Sequence, residues 1–332
     1  NFIHILESAP IYMIQTKAGA ENMKTENSEF DVYKDMQART NGEIYIGVVG
    51  PVRTGKSTFI KKFMETLVIP NIDSDYRRER AVDELPQSAA GKTIMTTEPK
   101  FIPEEAVEVF LDDQASFRVR LIDCVGYVVP SALGYVENDG PRMVVTPWFE
   151  EEVPFNMAAE IGTRKVIQEH STIGLVVTTD GSISDIPREE YEQAEERVIS
   201  ELKEIEKPFV VLLNATQPGS AKVQDLARQL SEKYAVPVMP VNCLELTQND
   251  IRDIMSAVLY QFPVKEICVD FPRWILSLEK DHWLRQELVS SILGHAQEIV
   301  RIRDVESAMS KTTEQEHVES ASVTEIDLGR GR

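Results

Sequence analysis

"GVVGPVRTGKST", residues 47–58, decides the fold. The apolar run before it, residues 43–49, reads as a buried strand. Residues 56–67 carry apolar side chains at helical spacing, and Asn71 and Asp73 end that pattern. Between strand and helix stands G-x-x-x-x-G-K-[ST], the phosphate-binding loop pattern, in the setting that gives it meaning. Its glycines let backbone N–H groups close on phosphate oxygens, and the helix N-terminus adds partial positive charge. On this reading Gly50, Arg53, Thr54, Gly55, Lys56, Ser57 and Thr58 line a nucleotide. Lys56 reaches the β- and γ-phosphates, and Ser57 gives its hydroxyl to Mg2+. Arg53 reads equally as a phosphate contact or as a solvent-facing charge.

The rest of the chain supplies a matching frame. Runs 107–111 and 117–124 are β-like and separated only by "DDQAS", too short for a parallel crossover, so they form an antiparallel hairpin. Residues 125–160, rich in Gly, Pro and aromatics, read as a large loop or lid. Then strands at 172–179, 208–214 and 237–242 alternate with helices at 188–206, 221–233 and 248–261. Such alternation implies a mostly parallel sheet covered by helices on both faces. The predicted fold is an α/β P-loop NTPase of the Ras-like, GTPase type with one antiparallel hairpin strand. Its domain is expected over 40–262, after an extension at 1–39 (a short helix at 30–39) and before the start of a middle domain at 263–332. In that last part, 264–275 reads as one more strand and 279–304 as a charged amphipathic helix.

Four further motifs bear on chemistry. "RLIDCVG", 120–126, ends an apolar strand at Asp123, where the metal-site carboxylate of such an enzyme belongs. Gly126 completes an Asp-x-x-Gly spacing whose glycine N–H can sense a γ-phosphate. "TIMTTEP", 93–99, offers Thr96 and Thr97, with Thr93 behind them, as a switch threonine; Thr97 would complete a Mg2+ shell with Ser57 and Asp123. Third, the guanine-reading Asn/Thr-Lys-x-Asp is broken. The strand ends "NATQ", with Asn214 in place but Ala215 for the Lys and Gln217 for the Asp. Losing a carboxylate that accepts two hydrogen bonds removes guanine selectivity, so ATP is the expected nucleotide. Asn214 reads as a base contact or as a strand-end cap. Fourth, Tyr127 stands where Ras-like enzymes carry a water-orienting Gln, so hydrolysis is expected to be slow or helped by another group. Arg142, Arg164 and Lys165 are candidate cations, though a surface ion pair is the simpler reading of each.

Composition limits the partners. The chain of 332 residues has 35 basic and 55 acidic side chains, a net charge of −20. That argues against nucleic acid and against direct attachment to an acidic membrane, which would need an adaptor. Cys124, Cys243 and Cys268 are too few and too scattered for a disulfide framework or a zinc site, as in a reduced cytosolic protein. The chain begins with Asn1, and Met23 reads as a start.

"YIGVVGPVRTGKSTFIKKFME", "DELPQSAAGKTIMTTEPKF", "LIDCVGY", "GPRM", "EIGTRKVIQEHSTIG" and "VTTDG" together resemble the stage IV sporulation protein A family over about residues 30–303. The resemblance implies a GTPase-like fold turned to ATP, in the foundation layer of the bacterial spore coat. It implies Mg2+-dependent hydrolysis that leads to self-assembly into a polymer on the outer forespore membrane, in the mother-cell cytoplasm. A small amphipathic membrane-anchor peptide and other spore-coat proteins are the partners it implies. Lys56, Asp123, Thr96 and Thr97 match the family's loop lysine, metal-site aspartate and sensor threonines. Residues 1–22 depart from the family pattern, and its middle and C-terminal regions are expected to be cut short after about residue 310. Two other readings stay open: a nucleotide-binding scaffold without significant hydrolysis, and a regulatory GTPase.

Overall fold

The computed structural model describes residues 2–4, 35, 38–40, 42–72, 74–86, 99–112, 115–137, 140–146, 148–149, 151–313, 317–318 and 320–332. Its major elements over Thr40–Val258 and just beyond run β1 (Glu43–Val49), α1 (Lys56–Phe63), α2 (Asp75–Asp83), β2 (Lys100–Asp112), β3 (Ala115–Asp123), α3 (Phe155–Lys165), β4 (Ile173–Thr179), α4 (Glu192–Glu204), β5 (Phe209–Asn214), α5 (Ala221–Tyr234), β6 (Val238–Val241) and α6 (Gln248–Leu259). Six strands form one sheet in the order β6-β5-β4-β1-β3-β2. All neighbours are parallel except the β2–β3 hairpin at the edge. The short "DDQAS" connection dictates that hairpin, as its length predicts.

The central strands are apolar on both faces because helices cover both. All of β4 and β5 is buried, as are Ile44, Ile46, Val48 and Val49 of β1. β1 pairs with β3 on one side and β4 on the other, so the strand order reverses at its C-terminal end. A crevice opens at such a point in α/β sheets, and the 50–57 loop lies there.

One expectation needs correction. Residues 125–160 are not loop throughout, because α3 begins at Phe155. Phe155, Ala158, Ala159, Gly162 and Thr163 give it a buried face. Gly162 suits that face, since a Cβ would lie only 3.0 Å from the Trp148 ring and 3.3 Å from Pro99. The helix past Lys56 continues as a π turn, Met64–Val68, and Asn71 Nδ2 donates to the Leu67 carbonyl at 2.7 Å as it ends.

A second compact unit comprises the described residues among 1–39 and 259–332. Strand Phe2–His4 pairs in parallel with Glu266–Cys268, shorter than the strand expected over 264–275, and residues 273–276 are helical instead. The expected helix over 279–304 is confined to Trp283–Glu298, where the His282 ring caps its start. Arg39 Nε donates to the Leu328 carbonyl at 2.6 Å, and Nη2 donates to that of Pro263 at 3.1 Å. No helix among the described residues is long and apolar enough to cross a membrane. Thr93, Thr96, Thr97 and most of the helix expected at 30–39 lie outside the described residues.

Candidate phosphate-binding site

The loop between β1 and α1 has glycine where only glycine fits. Gly50 (φ 139°) passes so close to β4 that a Cβ would lie 2.2 Å from the Val177 carbonyl oxygen. Gly55 (φ 93°) caps α1, and a Cβ there would lie 2.3 Å from Asn214 Nδ2. Between them Thr54 is buried and its hydroxyl donates to the Pro51 carbonyl at 3.0 Å. α1 has no acidic residue in its first turn, so its N-terminal dipole faces the loop uncompensated. Ser57 and Thr58 open that first turn, both half-buried.

Lys56 is buried, and its ammonium donates to the carbonyls of Pro51 at 2.6 Å and Gly50 at 3.4 Å. Desolvation lowers its pKa, against the opposing pull of Cys124 and Asp123. The Ser57 hydroxyl donates to Asp123 Oδ2 at 2.7 Å, joining the start of α1 to the end of β3. Asp123 Oδ1 is buried without a hydrogen-bond partner. Burial raises this carboxyl's pKa, only partly offset by the Ser57 bond and the Lys56 charge.

A hydroxyl and a carboxylate with one orphaned oxygen are hard donors that fit Mg2+. No group of three or more His, Cys, Asp or Glu side chains among the described residues could hold an ion alone. The pair therefore fits an ion that takes the rest of its shell from phosphate and water, the usual habit of Mg2+.

The chain after Asp123 is tied back to the loop. Cys124 points inward, its thiol donating to the Val48 carbonyl at 3.3 Å, and burial pushes its pKa up to about 11. Gly126 (φ 90°) is pressed against the loop, where a Cβ would lie 2.3 Å from the Gly50 oxygen and 2.6 Å from Lys56 Nζ. Val52 N–H donates to the Tyr127 carbonyl at 2.9 Å, and Tyr127 N–H to that of Gly50 at 3.3 Å. The Tyr127 side chain leaves the site altogether. Its hydroxyl donates to Glu201 of α4 at 2.5 Å, and its ring lies under the Arg197 guanidinium at 4.6 Å. Burial and the Glu201 carboxylate raise its pKa far out of the working range.

Asn214 is spent on the scaffold of the loop. Its Nδ2 donates to the Thr54 carbonyl at 3.0 Å and its Oδ1 accepts from Cys243 N–H at 3.1 Å. Sequence reasoning offers the strand-end position but not this double attachment. Ala215, in the lysine slot of the base motif, is fully buried, whereas Gln217 is exposed. The lid cations sit elsewhere: Arg164 pairs with Glu201 at 3.4 Å and Lys165 with Glu169 at 3.0 Å. Arg142 donates to the Gly134 carbonyl at 3.2 Å and stacks 5.3 Å from the Phe155 ring. The loop, Lys56, Ser57, Asp123, Gly126 and Asn214 thus meet in one place, and Arg164 and Lys165 are taken up by carboxylates of α4 and of the turn after α3.

A family model described as stage IV sporulation protein A, ATPase domain, matches residues 27–263, and that protein's middle-domain model matches residues 264–332. Stage IV sporulation protein A of Bacillus subtilis (strain 168) is 52% identical over 301 residues, 91% of this chain and 61% of that protein. The Clostridioides difficile (strain 630) protein is 50% identical over the same shares of each chain. The chain thus spans about three-fifths of the length of these curated relatives. Among solved structures, translation elongation factor SelB of Methanococcus maripaludis with a GTP analogue is 10% identical, covering 67% of this chain and 39% of that one at a TM-score of 0.37.

Proposed function

The chain belongs to the stage IV sporulation protein A family, with matches to its ATPase and middle domains, and from this premise we propose that it binds and slowly hydrolyses ATP. The observation that carries the reading is the Ser57–Asp123 hydrogen bond beside an orphaned Asp123 Oδ1, at the mouth of a loop closed by Lys56. In this reading residues 40–262 form the catalytic domain, and the described part of 263–332 begins the middle one. Gly50 sets the turn, the backbone N–H groups of Arg53 to Thr58 close on the triphosphate, and Lys56 leaves its two carbonyls for the β- and γ-phosphate oxygens. Ser57, Asp123 and a threonine of the Thr96–Thr97 pair would hold Mg2+, which when bound would supply positive charge to the phosphates. Gly126 carries its N–H toward the γ-phosphate, so loss of that group is felt directly at the segment bonded to the loop. Asn214 keeps the loop in shape.

The broken base motif favours ATP over GTP, since Gln217 brings no carboxylate to guanine. The family likeness gives the purpose: hydrolysis leads to self-assembly into the spore-coat foundation at the forespore surface, in the mother-cell cytoplasm. An amphipathic anchor peptide tethers it there and other coat proteins dock on it. A net charge of −20 supports attachment through such an adaptor rather than to the lipid itself. One observation favours a second reading, a scaffold that keeps its nucleotide: Tyr127 offers no side chain to orient water.

Competition binding and sedimentation test the proposal, on this chain and on a full-length family member side by side. ATP outcompeting GTP, with pelleting that needs ATP and fails with Lys56→Ala, is the expected result. Equal displacement by GTP, or pelleting indifferent to nucleotide, overturns it.

A further inference from the structure

Arg53 is the one charged residue between the two loop glycines, and its backbone is left-handed at φ 64°. Among the described residues only Glu206 and Ala235 share that trait without being glycine. Both of those close a helix, Glu206 after α4 and Ala235 after α5, where a left-handed residue is the common terminator. Arg53 has no such excuse. Such strain in a non-glycine residue clusters at active sites and ligand clamps.

Its guanidinium is also uncommitted. Among the described residues Arg53 makes no hydrogen bond and no ion pair, while its neighbours in the loop, Val52 and Thr54, are buried and turned into the protein. It is half-buried and lies within electrostatic reach of Tyr191, whose hydroxyl is engaged with Ser184 at 2.8 Å. Of the carboxylates near Tyr191, Glu190 accepts from the Ser131 amide and hydroxyl, and Glu195 binds Arg188 and Tyr234. A cation left unpaired at a phosphate loop is matched by the anion that the loop encloses.

We propose that Arg53 is a catalytic residue, a cis-acting arginine whose guanidinium stabilises the charge that builds on the β,γ-bridging oxygen of ATP. This rests on the reading of the loop as an ATPase site. Water adds to the γ-phosphorus as the bond from that phosphorus to the bridging oxygen breaks. The oxygen keeps the electron pair and leaves in ADP; one water proton stays on the phosphate and the other goes to solvent. The mid-loop N–H groups wrap the β-phosphate, so a charge carried there stands beside the bridge where negative charge grows. Tyr127 is turned to α4 and Arg164 and Lys165 are paired elsewhere, which leaves Arg53 as the charge that the loop itself adds to Lys56 for this step.

The test uses Arg53→Gly and Arg53→Lys in this chain, with kcat, ATP affinity, melting temperature and affinity for ADP with aluminium fluoride. Glycine accepts φ 64°, so Arg53→Gly folds at least as stably as the wild type. Its kcat should fall about a hundredfold with ATP affinity retained. Binding of the aluminium fluoride complex should weaken in parallel, and added guanidinium ion should restore part of the rate. An unchanged kcat in Arg53→Gly, or a loss confined to KM, overturns the assignment while leaving the ATPase reading intact. Absence of Lys56-dependent turnover in the wild-type chain overturns both.

Discussion

Ser57 donates its hydroxyl to one oxygen of Asp123 across 2.7 Å and leaves the other oxygen buried with nothing to accept. That arrangement costs stability without a ligand, and it predicts what Asp123→Asn should do. Burial raises the Asp123 pKa above its ordinary 3.8, so the folded chain holds this proton more tightly than the unfolded chain. The group's favourable contribution is therefore whole below the unfolded value and is lost as pH rises through the folded one. Thermal melts of the nucleotide-free protein should show Asp123→Asn above the wild type, by a margin that widens with pH. Added Mg2+ and ATP should stabilise the wild type and not the variant. A margin that narrows with pH contradicts the account.

Replacing Tyr127 by the glutamine of faster enzymes should not accelerate turnover. The side chain at 127 runs to Glu201 on α4, away from the loop. Tyr127→Gln loses that bond and the contact with Arg197, and should cost roughly 1–3 kcal/mol in urea unfolding. A rise in kcat would show that this side chain does face the γ-phosphate.

Asn214→Ala should loosen the loop rather than alter the choice of base. It strands the Thr54 carbonyl and the Cys243 N–H, at a cost of about 1–3 kcal/mol each if they stay buried and unpaired. ATP and GTP affinities should weaken together, as read by nucleotide titration. Loss of ATP binding alone would make Asn214 a base contact.

The base preference should respond instead at Gln217, which is exposed three residues beyond β5. Gln217→Asp restores a carboxylate for guanine and should improve GTP competition about tenfold. Ala215→Lys should not add to this, because residue 215 is fully buried and its N–H is held by the Val241 carbonyl at 3.0 Å. A long charged stem there should lower the melting temperature.

Much of this was legible from residue order. The five residues "DDQAS" require the hairpin, the alternation after residue 172 requires a parallel sheet, and the 50–57 loop marks the strand from which the order reverses. What hid was whatever depends on packing at long range. α3 lies behind Pro154 and contains Gly162, both breakers by local propensity, and the glycine is there because Trp148 and Pro99 close on it. The direction of Tyr127 follows from pairing its backbone with Gly50 and Val52, residues 75 or more positions away, which no local pattern reports. Asn214 was legible as a position and not as a brace, because its partners come from the loop and from the end of β6.

The central claim is ATP hydrolysis at the Lys56 loop. Phosphate release from the purified chain with Mg2+ and ATP measures it directly, beside Lys56→Ala. The account predicts slow, ATP-dependent release in the wild type and none above background in the variant. Equal release from both would contradict it.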